Sequence, residues 1–156
     1  MSKVALILVL VALAVAIGFA AYVRLAPSDP AVWHVAPLSV EPPGTPNYDL
    51  VGPEDGSRTD EVFAMTPQEL MEKLNAIALA TPRVHVLAGS AADGFVTYIA
   101  RSALWGFPDY ISVKAVPAPG GARLAAFSRA RFGRSDMGVN AARMEGWMDQ
   151  LKQQSG

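Results

Sequence analysis

The chain has 156 residues, a formal net charge of −1 and no cysteine. The missing cysteine excludes structural disulfides, thiolate metal sites, a cysteine nucleophile and a lipid-modified cysteine anchor. A charge this close to zero implies no global pull toward nucleic acid, and no nucleic-acid partner is expected.

The charges are unevenly placed. From Leu25 to Asp93 there are ten acids and three bases, and from Gly94 onward four acids and eight bases. That asymmetry has two readings: an acidic half docked on a basic half, or an anion-binding surface on the basic half.

Val4 to Val23 is twenty residues without a charge or a strong polar group, flanked by Lys3 and Arg24. At ~1.5 Å per residue it reaches about 30 Å, the thickness of a bilayer's hydrocarbon core. A cleavable signal has an apolar region of only about 7–15 residues. Residues 1–24 are therefore read as an uncleaved anchor, although Gly18-Phe19-Ala20 has the form of a small-x-small cleavage site. The expected location is the inner membrane, single-pass, with the following domain on the periplasmic side.

Residues 25–65 form a proline-rich lead-in. Leu25 to Pro67 holds eight of the twelve prolines, a density that opposes helix and central strand alike, so an extended linker is expected. Trp33 and His34 are placed either on the domain or near lipid headgroups. The acidic run Glu54 to Glu61 reads as a solvated loop.

The folded domain is placed at 66–156. Thr66-Pro67-Gln68-Glu69 is a capping box with proline at the first helical position, and Leu70, Leu74 and Ile77 form the stripe of the helix it opens. Four strand-like runs follow: Arg83 to Ala88, Phe95 to Leu104, Tyr110 to Val116 and Ala122 to Ala130. Ile111, Val113 and Ala115 alternate with Tyr110, Ser112 and Lys114, which reads as one covered face and one wetter face. A closing helix runs from about Met137 to Gln153. The fold class is α+β: a four-stranded antiparallel meander with two helices, α-β-β-β-β-α, after a transmembrane helix.

The stretch Arg131 to Arg143 carries the unusual chemistry. Gly133 and Gly138 suggest special backbone angles, and Ser135 and Asp136 have the character of helix caps. The apolar stripe Met144, Trp147, Met148 and Leu151 extends backward through Arg143 and Asn140, turning two polar residues inward. An inward guanidinium needs a carboxylate, backbone carbonyls or a bound anion. One reading is a structural staple, in which Arg143 and Arg101 pair with Asp109 or Asp136. The other is an anion site, with Arg131, Arg134 and free amides near Gly133 to Gly138 receiving a phosphate, sulfate or carboxylate. No catalytic residue and no metal-ligand spacing is recognised, and no cofactor is expected.

In this stretch the chain resembles the domain-of-unknown-function family numbered 1499, in its membrane-anchored bacterial form. Its R-x-G-x-S-D-x-G-x-N-x-x-R motif is met by Arg131, Gly133, Ser135, Asp136, Gly138, Asn140 and Arg143. Phe107-Pro108-Asp109-Tyr110, Arg101-Ser102 and Pro46-Asn47 also look like family features. Some members open the motif with R-S-x-S-R, where this chain has Phe127-Ser128-Arg129-Ala130-Arg131. The resemblance implies a family and a membrane location without an assigned activity. The functional expectation is a non-enzymatic envelope module that binds a protein partner or envelope component. Its alternatives are a binder of a small anionic or amphipathic ligand, and a hydrolase or transferase on an anionic substrate.

Overall fold

The computed structural model describes residues 2–52 and 61–155. Most of the acidic run, Glu54 to Asp60, lies outside the described residues; Glu61 is described and pairs with Lys152 at 3.0 Å. Helix α1, Lys3–Leu25, is capped by Ser2 and is long and apolar enough to cross a membrane; of its residues only Val23, near the C-terminal end, is buried.

One antiparallel sheet organises everything that follows. Its strands are β1 (Tyr48–Val51), β2 (Val62–Phe63), β3 (Val84–Ser90), β4 (Phe95–Arg101), β5 (Pro108–Ala118) and β6 (Gly121–Ala130). The order is β1-β6-β5-β4-β3, and β2 pairs with the other end of β6. The expected meander is β3 to β6, so the sheet has six strands where four were expected. The two extra strands come from the proline-rich lead-in. Tyr48–Val51 is four residues long and β2 only two, too short for an alternation to stand out among prolines. Pairing with β6 supplies the register their own sequence does not: Asp49 faces Ser128, and Val62 faces Arg123.

Two helices cover one face, α3 (Pro67–Ala80) and α4 (Val139–Gln153). The capping box of α3 is complete, with Thr66 Oγ1 accepting from Glu69 N–H at 3.2 Å and Glu69 accepting from Thr66 N–H at 2.8 Å. Leu70, Leu74 and Ile77 of α3 meet Met144, Trp147 and Leu151 of α4 over Tyr98, Ile111, Val113 and Ala126. Burying each large side chain contributes roughly 1.5–3 kcal/mol, so this layer dominates the stability. Trp147 is fixed by donating to Thr81 at 2.9 Å and by edge contact with Tyr98.

The other sheet face is not wet. Thr97, Ile99, Tyr110, Ser112, Phe127 and Arg129 are all buried there, covered by the lead-in. This differs from the expected solvated face and adds a helix, the single turn α2 (Pro30–Trp33). Trp33 stacks on Tyr110 at 3.9 Å, and His34 stacks on Phe95 and shares a 2.8 Å hydrogen bond with Thr97. The reason lies in backbone chemistry. A proline-rich segment has carbonyls to satisfy but few N–H groups, and the sheet supplies donors from arginines. Arg129 donates to Trp33 O at 2.9 Å, and Arg131 to Pro27 O at 2.6 Å.

Candidate functional site

The loop between β6 and α4 is built on positive backbone angles, at Gly133 (φ 87°), Met137 (φ 55°) and Gly138 (φ 80°). The first and last are open to glycine at no steric cost. Helix α4 then starts at Val139, two residues later than expected. Its cap comes from a distance: Asp136 Oδ2 accepts from both the backbone N–H and the side-chain amide of Asn140, each at 2.8 Å. Asp136 Oδ1 accepts from Gly138 N–H at 3.1 Å. The carboxylate thereby occupies the positive end of the helix. Burial acts to raise the Asp136 pKa, but these hydrogen bonds outweigh it and leave the carboxyl below its ordinary value.

Asn140, fully buried, is the hub. Its Oδ1 accepts from Ser128 on β6 at 2.5 Å and from Arg143 at 2.7 Å. The Arg143 guanidinium continues to Asp109 Oδ2 at 2.9 Å, with the side chains only 14% and 13% exposed. A continuous chain thus runs from Asp136 through Asn140 and Arg143 to Asp109, joining α4 to β5 and β6. Burial raises the Asp109 carboxyl above its ordinary value; Arg143 opposes that rise and Asp136 adds to it.

The remaining site residues stand outside this chain. Arg101 donates to Gly106 O at 2.9 Å, shaping the 102–107 loop. Arg131 holds Pro27 on the opposite sheet face, Arg134 is exposed, and Ser135 accepts from Met137 N–H at 3.2 Å. The arginines therefore do not converge on one point. Asn47 ties the lead-in to the loop, donating to Gly133 O at 2.9 Å while its backbone carbonyl takes Ala130 N–H at 2.9 Å. Ser128 was missed as a partner by the sequence reading, although its inward register in β6 was legible.

Beside this network lies a cavity of about 500 Å³. Phe19 of α1, Phe107, Phe132, Met137, Val139 and Ala130 give it apolar walls, and Ser102, Ser135, Asp109 and Asp136 give it polar points. Ala130 stands where some motif variants carry a serine, so that wall is a methyl group. Arg101, Arg131, Arg134 and Arg143 are not among its lining residues. No histidine lines it either, and among the described residues no group of His, Asp and Glu is arranged to hold a metal.

A family model described as "Protein of unknown function (DUF1499)" matches residues 34–151. The chain belongs to that family. The DUF1499 match opens at His34, on the lead-in that closes the second sheet face, and ends at Leu151 in the α4 core. Among solved structures, the chain is similar to protein MLL2253 from Mesorhizobium loti, with 13% identity, a TM-score of 0.46, and 61% of this chain and 92% of that one covered. It is also similar to protein CV1439 from Chromobacterium violaceum, with 16% identity, a TM-score of 0.45, and coverage of 70% and 96%. No curated protein matches it.

Proposed function

We propose that this DUF1499 chain is a membrane-anchored, non-enzymatic envelope module that holds a small amphipathic molecule with an uncharged polar end. In this reading α1 crosses the inner membrane and the domain stands on the periplasmic side. The observation that carries it is the cavity beside the motif. Its volume falls in the range of about 300–1,000 Å³ usual for ligand pockets, and its walls are mainly aromatic and aliphatic with a few polar points. Two of those points are carboxylates, which repel an anionic head and accept hydrogen bonds from a hydroxyl or amide. Ser102 and Ser135 have no histidine beside them to activate a nucleophile, which favours binding over catalysis.

The test is photolabelling of the full chain in lipid nanodiscs with a diazirine-bearing monoacylglycerol. Label is expected on peptides containing Phe107 and Phe132 to Val139. Val139→Trp, which fills the cavity from the exposed start of α4, is expected to reduce it several-fold. Label that is spread over the chain, or that is unchanged by Val139→Trp, overturns the proposal.

A further inference from the structure

The end of the domain that carries the cavity exposes three large apolar side chains. Leu104 is 76% exposed, Met137 91% and Val139 47%. Leu104 belongs to the 102–107 loop, while Met137 and Val139 belong to the motif loop and the start of α4. Both loops meet α1 at its last turns. Phe19 makes edge contacts with Trp105 and Phe107, each with ring centroids 6.0 Å apart, and Tyr22 does the same with Phe132 at 6.0 Å. Arg24 donates to Leu104 O at 2.8 Å and lies over Gly106, where an added Cβ would come within 2.9 Å of the arginine Cγ. A side chain at 106 would therefore displace the Arg24 side chain from its place over the loop.

Helix α1 serves as a depth gauge. Arg24 is the first charged residue after the apolar run, so a bilayer that holds α1 has its headgroup level near it. Phe19 lies five residues back along the helix, about 7.5 Å toward the bilayer centre at ~1.5 Å per residue. Rings packed against Phe19 share that depth, which is the 5–10 Å burial characteristic of interfacial apolar side chains. The lead-in leaves no slack to lift the domain away. Within four residues of Arg24, Pro27 O is held by Arg131 and Ser28 is bonded to Tyr110 at 2.8 Å.

We propose that the 102–107 loop and the motif loop are seated in the lipid interface beside α1, with Leu104, Trp105, Phe107, Phe132 and Met137 among the acyl chains. The occupant of this apolar face is the bilayer itself, and the cavity mouth opens into it. The inference rests on α1 being a membrane anchor, not on what the cavity holds.

The chain has no cysteine, so single nitroxide labels can be placed on the full protein in phosphatidylethanolamine–phosphatidylglycerol vesicles. Leu104→Cys and Met137→Cys report on the seat, Leu10→Cys on the anchor, and Leu79→Cys on the exposed side of α3. Leu104 and Met137 labels are expected to be several-fold more accessible to oxygen, relative to a water-soluble nickel chelate, than the Leu79 label. Water-like values at both, with a lipid-like value at Leu10, overturn the seat and leave the anchor standing. Water-like values at Leu10 as well overturn the anchor and the seat together.

Discussion

Asn140 has no exposed surface, so its polar atoms must find partners inside the protein. Asp136, Ser128 and Arg143 supply them, and Arg143 in turn depends on Asp109. Removing one member leaves a buried charge or amide without its partner, which costs far more than the pair contributes net. Arg143→Ala and Asp109→Ala should therefore each destabilise the full chain by about 3–5 kcal/mol in chemical unfolding. The double change Arg143→Met with Asp109→Leu should recover most of that loss, because apolar replacement of both partners removes the unpaired charge. Equal losses in the single and double variants would contradict the staple. At this scale the sequence was informative: the helical period alone placed Asn140 and Arg143 inward. It left Asp109 and Asp136 as equal candidates, because choosing between them needs the β5–α4 distance, which local pattern does not contain. It also set Arg101 beside Arg143 in the staple and Arg131 beside Arg134 in an anion site, whereas strand alternation and loop geometry send Arg101, Arg131 and Arg134 in three directions.

Among the elements, the lead-in is where sequence and fold diverge most. Proline density argues correctly against a long helix there, yet the same segment adds two strands and covers much of a sheet face. Its contacts are between single residues and a distant surface, Trp33 on Tyr110 and His34 on Phe95, so no periodicity announces them. Alternation in β5 and β6 was right about which residues share a face and wrong about what the second face meets. Arg129 illustrates the consequence: buried between Trp33 and Phe127, its pKa is pushed down to about 10 by desolvation. His34 gives this layer a pH signature. Burial lowers its pKa, so below the ordinary histidine value of about 6.5 the unfolded chain binds more protons than the folded one. Its contribution is complete above that value and lost as pH falls through the lowered folded value. The stability difference between the natural chain and His34→Gln should be constant near neutrality and shrink as the solution is acidified below about pH 6.5. A difference that grows on acidification, or stays level, would contradict a half-buried imidazole that is held neutral.

For the molecule as a whole, two functional features meet at one end. The apolar helix leads into the aromatic loops, and those loops and the start of α4 line the cavity. Hydrogen bonds at Pro27, Ser28 and Trp33 tie the segment that follows α1 to the sheet. On the proposed reading, a module of this form suits a molecule that is taken from, or returned to, the lipid phase. The cavity itself was not legible from the sequence, since Phe19, Phe107 and Phe132 lie far apart in the chain and each alone reads as an ordinary apolar residue. Whether the cavity holds an amphiphile can be read by native mass spectrometry of the full chain, released from membranes under mild conditions. The natural protein is expected to carry a bound amphiphile that has no anionic head, and Val139→Trp to lack it. A bare mass for both proteins, or an adduct that survives in Val139→Trp, would contradict that expectation.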